Sequence, residues 1–452
     1  MTSSPGSPLT HPRRRWLRVS LRGLMVLVVL IGGGIGWVAN TIRTQRQAIA
    51  AVRAAGGDVR FDYQKQQVGV SRGRPVYRRE PAAPAWLRRW LGDELFQQVT
   101  SVRWSKPVKL EALPATLTAV GRFDRLEQFT LGGATGVGDG FRHLRGMSRL
   151  QEVWVSGPDI SDVMIDELAQ IPSLRRLTIG GALAVPDFQT ADPRRSPTDV
   201  AFARLAALRD LTDLTIENCP NLTDATMARL VQALTTLRTL DLAGWPGTPA
   251  ATIATLARHH PDFRWLGLTR TGVTDDELKA VESLPELRGI NLRRTRVTDA
   301  GVAHLRPLRN LTEVLIDETQ VTDESLKVLG ELTKLRGLFL RQTRITDAGV
   351  VHLDRLADLR TLSLGSNDLS DAAMPAVARL TRLERLNLAR VTGLTDAGLV
   401  PLRALPKLRE LVLTGSRTTP EGIAALQQAV PTLTRVTTKP ARAVTPPATP
   451  SK

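Results

Sequence analysis

Seven carboxylates recur at matched places along the chain. Asp224, Asp275, Asp299, Asp323, Asp347, Asp371 and Asp396 each directly follow a threonine or serine. A regular line of carboxylates is what calcium bridging between the turns of a coil would need. Each of these aspartates also directly precedes a helical apolar pattern, where a side-chain oxygen caps the free amides at a helix start. Calcium-binding repeats are rich in glycine and these phrases are not, so capping is the reading adopted. The lone thiol, Cys219, is the next candidate for chemistry. A catalytic thiol needs a base and an orienting group, and no motif places His or Asn with it. Cys219 shares its place, three residues after the last apolar residue of a phrase, with Thr271, Thr295, Thr319, Thr343, Asn367 and Ser416. Small polar groups there are expected to hydrogen-bond the backbone of the neighbouring turn. His143, His304 and His352 recur just before a helix leucine and read as solvated helix residues. The sequence contains no phosphate loop, paired zinc motif or nucleophile elbow. The expectation is a protein without cofactor or metal that is not an enzyme.

The elements that position these residues follow from one interval. Phrases opened by Phe263, Leu287, Leu311, Leu335, Leu359 and Leu383 are spaced 24 residues apart. Each reads large apolar, two variable residues, apolar, one variable, apolar, as in Leu287-Arg288-Gly289-Ile290-Asn291-Leu292. The last apolar residues point inward from a short strand, the variable ones face solvent, and Thr-Asp opens a short helix. This period and internal order define the leucine-rich repeat. The fold class expected is therefore α/β: a solenoid, or horseshoe, of about twelve repeats counted from Leu126 to Leu408. Two places break the period. Leu174 to Leu211 spans 37 residues, the surplus falling in a proline-rich loop over 185–198. At Trp245-Pro246-Gly247 the usual Thr-Asp step is missing.

The phrases Gly272-Val273-Thr274-Asp275, Arg296-Val297-Thr298-Asp299-Ala300-Gly301-Val302 and Cys219-Pro220-Asn221-Leu222-Thr223-Asp224 resemble the cysteine-containing leucine-rich repeat subtype. That subtype occurs in eukaryotic F-box substrate receptors and in bacterial leucine-rich repeat proteins. The resemblance covers about residues 99–436 and implies partner binding. Thr271, Thr295, Thr319 and Thr343 depart from it, standing where the eukaryotic repeats often carry Cys or Asn. An F-box would need about 40 residues of helical module before the repeats, and only Trp86–Phe96 is available. The apolar span and the stalk that follows look more like the bacterial membrane-anchored members.

The net charge of +17 would suggest nucleic acid or an anionic membrane, but its location argues otherwise. Residues 1–110 hold 19 Lys and Arg against 5 Asp and Glu, whereas 111–434 hold 38 against 39. A nucleic-acid reader concentrates positive charge on its recognition surface, so nucleic acid is not the expected partner. Gly23 to Ile42 is twenty residues without a charge, long enough to cross a bilayer. Five arginines precede it, which by the positive-inside rule keeps the amino terminus in the cytoplasm and puts the repeats outside. The expected organisation is a cytoplasmic basic tail (1–22), a transmembrane signal anchor (23–42), a stalk (43–84), an amino-terminal cap (85–104), the repeats (105–436) and a disordered Pro/Thr/Ala tail (437–452). Trp86 and Trp90 are expected to cover the end of the first repeat.

Ligand choice should reside at the variable strand positions. There Trp265, Arg293, Leu315, Asp317, Phe339 and Arg341 mix aromatic, aliphatic and charged groups as interface centres do. The later repeats present mostly small residues. The function expected is a membrane-anchored scaffold that binds a protein or an envelope ligand outside the cytoplasm, with the membrane contacted through residues 23–42. The alternative is an intracellular adaptor resembling F-box receptors.

Overall fold

The computed structural model describes residues 21–438 except 66, 72–73, 78–79, 82, 92, 94–95, 105–112, 134–139, 158–159 and 181–195. The chain divides into two compact units, Met1–Ala50 with Asp62–Gln98, and Ala51–Phe61 with Val99–Lys452. One helix, α1 (Leu21–Ala54), runs from the first into the second. A transmembrane span over 23–42 and a stalk from 43 were expected, and a single helix covers the span and the first part of the stalk. No proline interrupts the stretch, and the chain turns only at Gly56, whose φ is +77°. Most side chains of 23–42 lie outside the described residues, as do residues 1–20 of the basic tail and 439–452 of the carboxy-terminal tail. Among the described residues no helix is long and apolar enough to cross a membrane.

The first unit holds more regular structure than a stalk would. Strand β1 (Asp58–Phe61) falls on the alternation at Val59 and Phe61 and belongs to the second unit, whereas β2 (Gln67–Ser71) and β3 (Arg74–Tyr77) lie in the first. Of these, β2 and β3 form an antiparallel hairpin within the first unit. Gln45 Nε2 donates to the Gln97 carbonyl at 3.0 Å, and Arg88 pairs with Glu80 and Asp93.

The second unit is built on a sheet of fifteen strands. After β1 come β4 (Val99–Trp104), β5 (Gln128–Leu131), β6 (Glu152–Ser156), β7 (Arg176–Gly180), β8 (Asp213–Glu217), β9 (Thr239–Asp241) and β10 (Trp265–Gly267). Then follow β11 (Gly289–Asn291), β12 (Glu313–Leu315), β13 (Gly337–Phe339), β14 (Thr361–Ser363), β15 (Arg385–Asn387), β16 (Glu410–Val412) and β17 (Arg435–Thr437). From β4 onward each strand pairs in parallel with the next in sequence, because a helical connection returns the chain to the same edge every time. The register puts the middle apolar residues in one buried column, Leu266, Ile290, Val314, Leu338, Leu362 and Leu386.

The expected cap (85–104) is divided between the two units, and the side chain of Trp90 lies outside the described residues. The edge of β4 is closed by β1 running antiparallel, with Val59 and Phe61 buried and Trp104 buried behind them. Helix α2 (Ala85–Leu91) belongs to the first unit, and its Trp86 is 70% exposed. The Val59-Arg60-Phe61 alternation, with period two, is what makes the closing strand.

The Thr-Asp steps also differ in one respect. Thr298 and Thr322 cap their own helices, as expected. The aspartates reach forward instead. Asp275 accepts from the N–H and hydroxyl of Thr298, Asp323 from those of Thr346, and Asp371 from those of Thr395. Each carboxylate therefore ties its repeat to the next. The glycines of the Asp-Ala-Gly phrases leave room for this, since a Cβ at Gly301 or Gly349 would collide with the preceding repeat's aspartate. Beyond the long loop the same pattern resumes, with Thr198 donating its N–H and hydroxyl to Asp162 at 2.7 Å.

At the break, where Thr248-Pro249 replaces Thr-Asp, Trp245 is buried and its indole donates to the Leu222 carbonyl at 2.6 Å. The next cap, Thr274, lacks an upstream aspartate and takes the carboxylate of Glu277 from its own helix, forming a capping box.

Candidate functional site

Side chains at the first and third positions of each strand, and at the position two beyond, project from the face of the sheet opposite the helices. The chain then turns through a residue with positive φ: Asn218, Arg270, Arg294, Glu318, Gln342, Ser366 and Arg390 lie between 53° and 59°. This left-handed turn lets the residue's own N–H extend the ladder, as Arg294 N does to the Asp317 carbonyl and Glu318 N to that of Arg341. Its side chain joins the rim of the open face. Asn218, Gly244 and Gly415 occupy the same slot and are the residue types that favour φ above zero, a signal that marked the slot in sequence.

A cavity of about 780 Å³ lies on this face. Arg293, Asp317, Phe339 and Arg341 line it, so four of the six expected residues meet. Asp317 is the hub: Oδ2 takes Arg293 Nε, and Oδ1 takes the Arg341 N–H at 2.7 Å. The Arg293 guanidinium lies 5.1 Å from the centre of the Phe339 ring, within cation–π range. On the rim Arg294 and Glu318 form a two-point ion pair at 2.7 and 2.9 Å. Hydrogen bonding to Arg294 holds the Glu318 carboxyl below its ordinary range.

The other two do not line it. Leu315 is only 6% exposed, although its register places it on the open face between Asn291 and Phe339. Trp265 belongs to an adjacent cluster with Asp241. Burial pushes the Asp241 carboxyl up, and burial with the nearby Asp241 charge pushes Glu217 up to about 7. The cavity wall also contains Thr361, Ser363, Arg385 and Asn387, from the repeats read as presenting mostly small residues. Register reveals them: Ser363 and Asn387 stand in the Phe339 column.

The residues set aside as structural have identifiable tasks. The hydroxyls of Thr271, Thr295 and Thr319 donate to carbonyls three residues back, in their own turn instead of the neighbouring one. Asn367 spans both, donating to the carbonyls of Leu364 and Leu340. Cys219 is buried, and burial followed by the Glu217 charge pushes its thiol up to about 12. His304 pairs with Glu282 at 2.6 Å. Residues 185–195 of the inserted loop lie outside the described residues.

The strand-and-helix period, the single parallel sheet and the inter-repeat ladder define a leucine-rich repeat protein. Several solved structures are similar to this chain. The chain is similar to one in the crystal structure of the yeast Rad7 and Elc1 complex, at 17% identity over 89% of this chain and 95% of that one, with a TM-score of 0.52. It is also similar to an internalin of Listeria monocytogenes (19% identity, 73% of this chain and 88% of that one, TM-score 0.48). A leucine-rich repeat protein of Leptospira interrogans matches at 16% identity, 70% and 91% coverage and a TM-score of 0.41. No family model matches the sequence, and no curated protein does.

Proposed function

We propose that the chain is a non-enzymatic, membrane-anchored scaffold whose open sheet face binds a protein or an envelope ligand outside the cytoplasm. The observation that carries this reading is the cavity. Arg293, Asp317, Phe339 and Arg341, contributed by three adjacent repeats, are locked together by an ion pair, a backbone hydrogen bond and a cation–π contact. Such a preorganised mixture of aromatic and arginine side chains suits a binding hot spot. Repeat arrays use extended surfaces of this kind for partners. Anchoring is supported by the uncharged residues 23–42 between Arg22 and Arg43. Met25 and Trp37 on α1 are 63% and 71% exposed, as expected of side chains that meet lipid. The five arginines ahead of the span favour a cytoplasmic amino terminus. A second reading, an intracellular adaptor or substrate receptor, is favoured by the likeness to a chain solved in complex with another protein.

Affinity capture with the full chain tests the first reading. Phe339→Ala combined with Arg341→Ala should weaken partner binding by at least about 2 kcal/mol. Retained affinity in that variant, with loss on deleting residues 185–198, would move the binding site to the inserted loop. Protease added to intact spheroplasts should degrade the repeats. Full protection of the repeats would favour the adaptor.

A further inference from the structure

We propose that the cavity on the open face is a carboxylate receptor that takes an acidic segment of the protein partner. This rests on the reading of that face as the partner surface and adds the chemistry of what binds there. Most charges of the wall cancel in pairs: Arg293 with Asp317, Arg294 with Glu318, and Glu410 with Arg435 at 3.2 Å. Of the wall's five arginines, Arg293 and Arg294 are thus paired and Arg270 is also engaged, which leaves two. The Arg341 guanidinium has no hydrogen-bond or ion-pair partner among the described residues, and Arg385 gives only its Nε, to Thr361 Oγ1 at 3.1 Å. Glu217, also in the wall, pairs with no cation among the described residues, and with its carboxyl near 7 it carries only part of a charge at neutral pH.

The neutral groups point the same way. Ser363 is 6% exposed, and its hydroxyl makes no hydrogen bond among the described residues. Asn387 Oδ1 accepts from Ala389 N at 2.9 Å, leaving its Nδ2 hydrogens unpartnered. Ser363 and Asn387 are register partners on adjacent strands. The wall thus offers guanidinium, amide and hydroxyl donors, and the Asn387 Oδ1 acceptor is already engaged. What satisfies it is an anionic, acceptor-rich ligand, and a carboxylate matches a guanidinium fork. A nucleic acid fits poorly, because repeats with 38 basic and 39 acidic residues give no continuous positive track for a phosphate backbone.

Fluorescence anisotropy with the full chain in detergent tests this, using a labelled Glu/Asp-rich peptide, its Gln/Asn counterpart, a phosphoserine peptide and a short oligothymidine. The acidic peptide should bind at least about tenfold tighter than the amide peptide. Arg341→Ala and Arg385→Ala should each cost about tenfold in that affinity without lowering Tm. Ser363→Ala should weaken it less, and Arg355→Ala, in an exposed turn away from the strands, should not change it. Equal binding of the acidic and amide peptides, unchanged affinity in both arginine variants, or stronger binding of phosphopeptide or oligothymidine would overturn the proposal. Partner capture lost in Phe339→Ala but intact in Arg341→Ala with Arg385→Ala would sink the carboxylate chemistry alone and leave the open face as the partner surface.

Discussion

Asp299 accepts four hydrogen bonds, from the N–H and hydroxyl of Thr322 and of Ser325. Burial alone would raise its carboxyl, but those bonds outweigh burial and hold it below its ordinary value. Glu217 is the opposite case, since burial and the Asp241 charge raise it from 4.5 to about 7. The sign of its linkage follows. A group with a raised folded-state pKa stabilises fully below its unfolded value, and that stability is lost as pH rises through the folded value. The second unit should therefore lose stability between about pH 4.5 and pH 7 through this residue. Glu217→Gln should remove that slope and raise stability at pH 8 by about 1–3 kcal/mol, discounted for partial exposure. Urea midpoints at pH 5 and pH 8 for both proteins measure it. Parallel pH profiles would show that Glu217 ionises without cost.

At the scale of single elements, the break at Trp245 shows how a missing link is replaced. Thr274 has no aspartate upstream, so Glu277 caps it from within the helix. Glu277→Ala should cost about 0.5–2 kcal/mol, the usual worth of a helix cap, whereas an exposed position such as Arg355→Ala should cost little. Chemical denaturation of the two variants separates these outcomes, and equal midpoints would mean that the box does not hold the helix. The strands, their inward columns and the helix starts were legible in sequence because each is fixed by local period and local capping. The forward reach of the aspartates was not, since Thr-Asp reads the same whether its carboxylate serves its own helix or the next. The closing strand was visible as an alternation at Val59 and Phe61, but its partner was not. Two tryptophans on a nearby helix drew the cap assignment instead. At the cavity, Arg293, Asp317, Phe339 and Arg341 were legible, whereas Arg385, Ser363 and Asn387 were not. Ser363 and Asn387 matter through register and unused donors, which only stacked strands reveal.

Across the whole molecule, stability is passed from repeat to repeat. Leu338 is fully buried between Val314 and Leu362 of the flanking strands. Leu338→Ala should cost about 2–5 kcal/mol. Because each repeat is held by its neighbours, hydrogen exchange should accelerate in the strands on both sides. Acceleration confined to β13 would mean that the repeats do not support one another. Site-specific photocrosslinking in the full chain tests whether the open sheet face holds the partner. A photoreactive benzoylphenylalanine replacing Phe339 should capture the same partner that affinity capture recovers, and one replacing Arg355 should not. Capture from position 355 or from the loop over 185–198, with none from position 339, would place the partner away from the open face.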